Sequence, residues 1–233
     1  MPFEDQLRSK VINYCKADLP PRKNILELFS YIEDADLRNR IVSEYEGARF
    51  AYKLFEGIRA TDDQMRFQVR SQLLSYASLY EASVEYVLFH YYEETEEVAQ
   101  MGRYKSLIKI SIPESQKEKL QNELSHNGKE IIPCYEGTKR KDRNTIRFDE
   151  KVDAAVKLGL LHSFHGRDPE VVNLPDELKE IYGFRNGIHI IAEQRKDINY
   201  EIDMSKKAYW RIAPFCQQIR EGLERDGKWH AHV

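Results

Sequence analysis

Three cysteines, Cys15, Cys134 and Cys216, are odd in number and far apart, which excludes a disulfide framework or a zinc ribbon. Reduced thiols packed as small apolar residues are expected instead. The eleven glycines are scattered. They build neither a GxGxxG nor a GxxxxGKS/T loop, so no phosphate-cradling nucleotide motif is present, and no Gly-x-Ser-x-Gly elbow occurs. The histidine pairs His162 with His165 and His230 with His232 have no cysteine or acidic residue at ligand spacing. No metal or other cofactor is expected. No apolar run approaches the roughly 18 residues that cross a bilayer, and the start, Met1 to Gln6, has no basic segment followed by an apolar one. A cytosolic chain that does not enter the membrane is expected. Repeats and low-complexity tracts are missing as well.

What remains is a 233-residue chain, 41% hydrophobic and 32% charged, with a net charge of −3. That balance excludes a protein coated with nucleic acid over its whole surface. Any such contact must be local.

Helical periodicity dominates. Phe3, Leu7, Val11 and Tyr14 make a first stripe, stopped by Leu19-Pro20-Pro21. A second runs over 24–33, and Asp36 opens a third through Ile41, Tyr45, Ala48, Tyr52 and Phe55. Residues 1–60 therefore read as a helical subdomain. Thr61, three ahead of Gln64, reads as a capping sequence for a helix of about thirty residues with Phe67, Leu74, Ala77, Glu81, Val84, Leu88 and Tyr91 on one face. Glu81 is either the buried counter-ion for a cation elsewhere in the core or a wet residue at the stripe's edge. Tyr76, Tyr80, Tyr86, Tyr91 and Tyr92 serve either the core or a protein-binding surface.

Beyond the acidic run at 93–97 the period drops to two. Strands are expected at 104–112, 130–136 and 144–148 around a charged helix at 113–124, giving a small α/β insertion at 103–148. Between the last two strands lie Lys139, Arg140, Lys141 and Arg143 with Asp142, and Arg147 follows just beyond, a local charge of +4. Such a loop suits sequence-blind phosphate contact, or is basic merely because a hairpin tip is exposed. Helices follow at 149–161, from Asn173-Leu174-Pro175-Asp176 onward, and at 205–223, the last kinked by Pro214. Residues 161–168 read as a loop and 226–233 as a flexible tail. The fold class is mainly α.

The segment 181–193 carries the chemistry. Leu174, Leu178, Ile181, Arg185, Ile188 and Ala192 trace one helical stripe with Arg185 in its middle, and His189 lies one turn on. A guanidinium on a buried face costs several kcal/mol unless it is paired or faces a ligand. Histidine can exchange a proton with a ribose 2′-hydroxyl or a departing 5′-oxygen near neutral pH. Arginine can hold the phosphate in the transition state, and Asn186 can orient either group. Together they would support metal-independent RNA cleavage, with a two-fold dimer supplying the second proton-transfer group. Alternatively the trio fixes helix packing, with Glu81 as the partner of Arg185, or binds RNA without cleaving it.

The order of a long helix at 64–92, Phe148-Asp149-Glu150-Lys151 leading to Leu158-Gly159-Leu160-Leu161, and Phe184-Arg185-Asn186-Gly187-Ile188-His189 before a closing helix resembles the HEPN superfamily. The likeness spans roughly residues 61–225, with fewer residues between arginine and histidine than is usual there. It implies a helical bundle with Arg185, Asn186 and His189 as the active positions. It also implies a metal-independent endoribonuclease of toxin–antitoxin or phage-defence type, acting on RNA as a homodimer or beside a nucleotidyltransferase or other defence-system partner. The other reading is a non-catalytic helical subunit whose aromatic helix docks a partner enzyme.

Overall fold

The computed structural model describes residues 2–124, 128–166, 171–188, 191, 194–195 and 197–230. Helices predominate, with two small two-stranded antiparallel sheets. The chain divides into two compact units, Met1–Ala99 with Phe148–Val233, and Gln100–Arg147.

In the first unit, α1 (Asp5–Ala17), α2 (Arg22–Leu28) and α3 (Ala35–Gly57) lead to α4 (Asp62–Tyr91), a 30-residue helix against which α3 packs. The helices of the first sixty residues thus share a unit with α4. Two helix starts differ from the sequence reading. The carboxylate of Asp34, not Asp36, caps α3, accepting from the amides of Asp36 and Leu37 at 3.0 Å each. Thr61 precedes α4 without a side-chain cap bond.

Val69, Leu73, Tyr76, Ala77, Tyr80, Val84 and Leu88 form the buried side of α4. Each large apolar side chain there contributes about 1.5–3 kcal/mol through burial. Phe67 and Leu74, expected on that side, are 61% and 45% exposed. The tyrosines are used internally: the Tyr80 hydroxyl donates to the Ala208 carbonyl at 2.6 Å, Tyr91 to that of Tyr31 at 2.7 Å, and Tyr92 to Asp226 at 2.7 Å.

After α5 (Glu96–Gln100) and the second unit, the chain returns as α7 (Phe148–Lys157) and α8 (Leu174–Asn186), which pack on each other and on α4. Between them, part of the segment expected as a loop pairs instead, β3 (Phe164–His165) with β4 (Val171–Val172). The expected kinked final helix is two helices, α9 (Ile202–Trp210) and α10 (Ile212–Arg225). Pro214 has no amide to donate and its ring crowds the carbonyl four residues back, at Trp210, so α9 ends there. In the first turn of α10 that missing donor costs nothing.

The second unit is built on β1 (Arg103–Lys109) and β2 (Cys134–Arg140), antiparallel from Arg103 opposite Arg140 to Lys109 opposite Cys134. The charged helix α6 (Glu114–Glu123) lies between them in sequence. The expected strand at 144–148 does not form; a 3-10 turn, Arg143–Thr145, leads toward α7. Gly102, at φ +68°, takes the left-handed conformation that glycine tolerates and accepts the amide of Lys141 at 3.0 Å.

Candidate functional site

Helix α8 presents the arginine. Its buried face is Leu174, Leu178 and Ile181, and Asn173 caps its start through an acceptor for the Asp176 amide. The helix ends at Asn186, so Ile181 to Glu193 is not one continuous helix. The Gly187 amide closes it on the carbonyls of Phe184 and Gly183 at 2.9 and 3.2 Å. A Cβ there would meet Ile198 Cδ1 at 2.5 Å, so a larger residue would require the Ile198 side chain to shift. Arg185 therefore lies in the last turn, beside the carbonyl end of the helix dipole, and not mid-helix on a sealed face. Its side chain is 34% exposed.

Around it is a short relay. The Tyr182 hydroxyl donates to Glu81 Oε1 at 2.8 Å, and Arg185 Nη1 donates to the same hydroxyl at 3.3 Å and to Asn186 Oδ1 at 3.2 Å. Arg185 Nη2 stands 3.9 Å from Glu81 Oε2, a loose ion pair, and its Cζ lies 5.1 Å from the Tyr182 ring centre. Phe148 stacks on the Tyr182 ring at 4.5 Å. Burial first, and then donation to Glu81, push the Tyr182 phenol up to about 12, so it stays a neutral donor at physiological pH. Glu81, 28% exposed, is neither sealed in the core nor fully wet.

Arg185, Asn186 and Glu81 are thus brought together. Asn186 is exposed. His189 lies outside the described residues, as does Ala192 of the expected stripe. Tyr182 was missed in the sequence, although its spacing three before Arg185 placed it on the same helical face. The buried Lys151, 3% exposed with Nζ 2.5 Å from Glu85 Oε2, is a second ion pair without a sequence signal.

The basic tract sits elsewhere, in the second unit. Lys139 and Arg140 belong to strand β2, not to a hairpin tip, and both are exposed. Lys141 is half-buried, Arg143 lies in the 3-10 turn and Arg147 is exposed. Arg140 stands opposite Arg103, and alternation puts Lys105 on the same face, where it pairs with Glu136 at 2.7 Å. Like charges directly opposite on a ribbon are unfavourable in isolation. Gln100–Arg147 holds eleven Lys and Arg against six Asp and Glu, a net +5, which leaves −8 for the rest of the chain.

Among the described residues no cluster of histidine, cysteine or acidic side chains could hold a metal ion, no cysteine is disulfide-bonded, and no helix is long and apolar enough to cross a membrane. Cys15 and Cys216 are buried as expected, whereas Cys134 is exposed. No protein-family model, curated protein or solved structure matches this chain.

Proposed function

We propose that the chain is a HEPN-like, RNA-directed protein that cleaves RNA without a metal. In this reading the Arg185 guanidinium holds the scissile phosphate, Asn186 orients it, and His189, assigned from the sequence alone, exchanges the proton with the ribose 2′-hydroxyl. The observation that carries the reading is the state of Arg185: one-third exposed, beside the exposed Asn186, and, among the described residues, with its one carboxylate partner, Glu81, at 3.9 Å. A pair that long is weaker than a bidentate contact to phosphate, so RNA competes well for the guanidinium. The charge of +5 on Gln100–Arg147 supports the same reading, because phosphate neutralisation supplies most of the sequence-blind affinity for RNA. A second copy of the chain would supply the other proton-transfer group.

The test is incubation of total RNA with the protein in EDTA. Cleavage that disappears in His189→Ala and in Arg185→Ala, both still folded, supports the proposal; an uncut RNA pool overturns it. A second reading, a non-catalytic subunit that docks a partner protein, is favoured by Phe67 and Leu74, which lie two turns apart on α4 and are exposed. It predicts that Phe67→Ser weakens association while Arg185→Ala does not.

A further inference from the structure

In the first unit a cleft lies between α3 and α9. Arg49 and Lys53, and Tyr52 and Glu56, are each four residues apart along α3, and the two pairs lie side by side on one face of that helix. Opposite them stand Lys206, Tyr209 and Trp210 of α9, and the group encloses a cleft of about 240 Å³ with Tyr76 at its floor. The Arg49 guanidinium is held between two rings, its Cζ 4.1 Å from the centre of Tyr209 and 5.0 Å from that of Tyr52. Tyr209 is itself fixed, 6.1 Å from Tyr76 and accepting a hydrogen bond from the Tyr45 hydroxyl at 3.3 Å.

Arginine placed this way is normally answered by a carboxylate. Here both carboxylates that line the cleft are taken by Lys53, which lies 2.8 Å from Asp18 and also bonds Glu56. Among the described residues Arg49 has no ion-pair partner, and its Nε is buried without a hydrogen-bond partner. Lys206 is a third cation lining the cleft, after Arg49 and Lys53, and pairs with Asp203 at 3.0 Å. Trp210, which also lines the cleft, is 60% exposed, and Arg49 adds to Lys53 in holding the Asp18 carboxyl below its ordinary value, without reaching ion-pair distance.

We infer that this cleft binds a small phosphate monoester carrying a flat heteroaromatic ring, a nucleoside monophosphate, with the phosphate on Arg49 and the base stacked on Trp210. The guanidinium offers a planar fork of donors that suits a phosphate edge, and an indole face stacks on a base irrespective of its identity. The cleft is too small for a whole nucleotide, so the base lies outside it, where Trp210 stands. The site is independent of the RNA-cleavage reading, which rests on Arg185.

Calorimetric titration of the full chain with adenosine 5′-monophosphate, adenosine and inorganic phosphate tests this. Saturable binding of the monophosphate is expected, with adenosine and phosphate each at least about tenfold weaker. Arg49→Gln and Trp210→Ala are each expected to weaken the monophosphate by at least about tenfold, while Arg185→Ala leaves it unchanged. Should Arg49→Gln fail to fold, the exposed Trp210→Ala still decides. No saturable heat at millimolar monophosphate overturns the inference. Equal affinity for phosphate alone, or wild-type affinity in Trp210→Ala, does so too.

Discussion

The hydroxyl of Tyr182 in α8 donates to the carboxylate of Glu81 in α4 at 2.8 Å, and the same phenolic oxygen accepts from Arg185 at 3.3 Å. One phenol therefore couples the middle of the long helix to the cation on which the proposed function rests. A hydrogen bond to a charged acceptor contributes about 1.5–3 kcal/mol, and partial exposure of Glu81 places this one at the low end. Tyr182→Phe is expected to lower stability by about 1–1.5 kcal/mol in urea denaturation. A variant as stable as wild type would show that water replaces the bond at no cost.

A larger loss is expected where the core holds a charge. Lys151 is 3% exposed with its ammonium 2.5 Å from Glu85, whose side chain is 32% exposed. Lys151→Ala removes the pair and the packed stem together, and about 2–4 kcal/mol should be lost, whereas Lys151→Met keeps the volume and should lose less. Urea midpoints of the two variants separate the contributions of charge and packing.

These two contacts show where sequence reasoning stops. The thirty-residue α4 was legible because its apolar period persists for eight turns, and α6 because its charge pattern is helical. Arg185 as a partner of Glu81 was one of the readings, but Tyr182 and the Lys151–Glu85 pair were not, since they join residues 101 and 66 positions apart and either carboxylate could have been wet. Segment 181–193 read as one helix because its stripe is unbroken, yet the helix ends at Asn186 with Gly187 as its cap, which leaves a supposedly buried arginine one-third exposed in the last turn. Pro214 read as a kink; the chain spends it on a new helix start. The strand expected at 144–148 alternates in sequence, but Arg143–Thr145 winds into a turn and α7 begins at Phe148.

Acid should act on the tail of α10. Donation from Arg225 holds the Asp226 carboxyl below its ordinary value, against burial, and the Tyr92 hydroxyl donates to it as well. A group with a depressed folded value stabilises the fold above its unfolded value, about pH 4, and loses that contribution as pH falls through the folded value. Asp226→Asn is expected to flatten the decline in thermal midpoint below about pH 4 relative to wild type. Parallel wild-type and variant curves would contradict this.

The basic ribbon should register in salt dependence. Replacing Lys139, Arg140 and Lys141 together by alanine is expected to weaken RNA binding and to reduce the slope of log affinity against log salt by about two for single-stranded RNA. An unchanged slope would place the phosphate contacts elsewhere. Because Lys141 is half-buried, the triple variant is compared with wild type only after circular dichroism shows it folded.

The most direct test of the central claim reads the chemistry of the product ends. RNA treated with the protein in EDTA should acquire 2′,3′-cyclic phosphate termini, and Arg185→Ala, folded as judged by circular dichroism, should lower their rate of appearance by about a hundredfold or more. Absence of such termini, or their appearance at the wild-type rate in Arg185→Ala, would contradict the account.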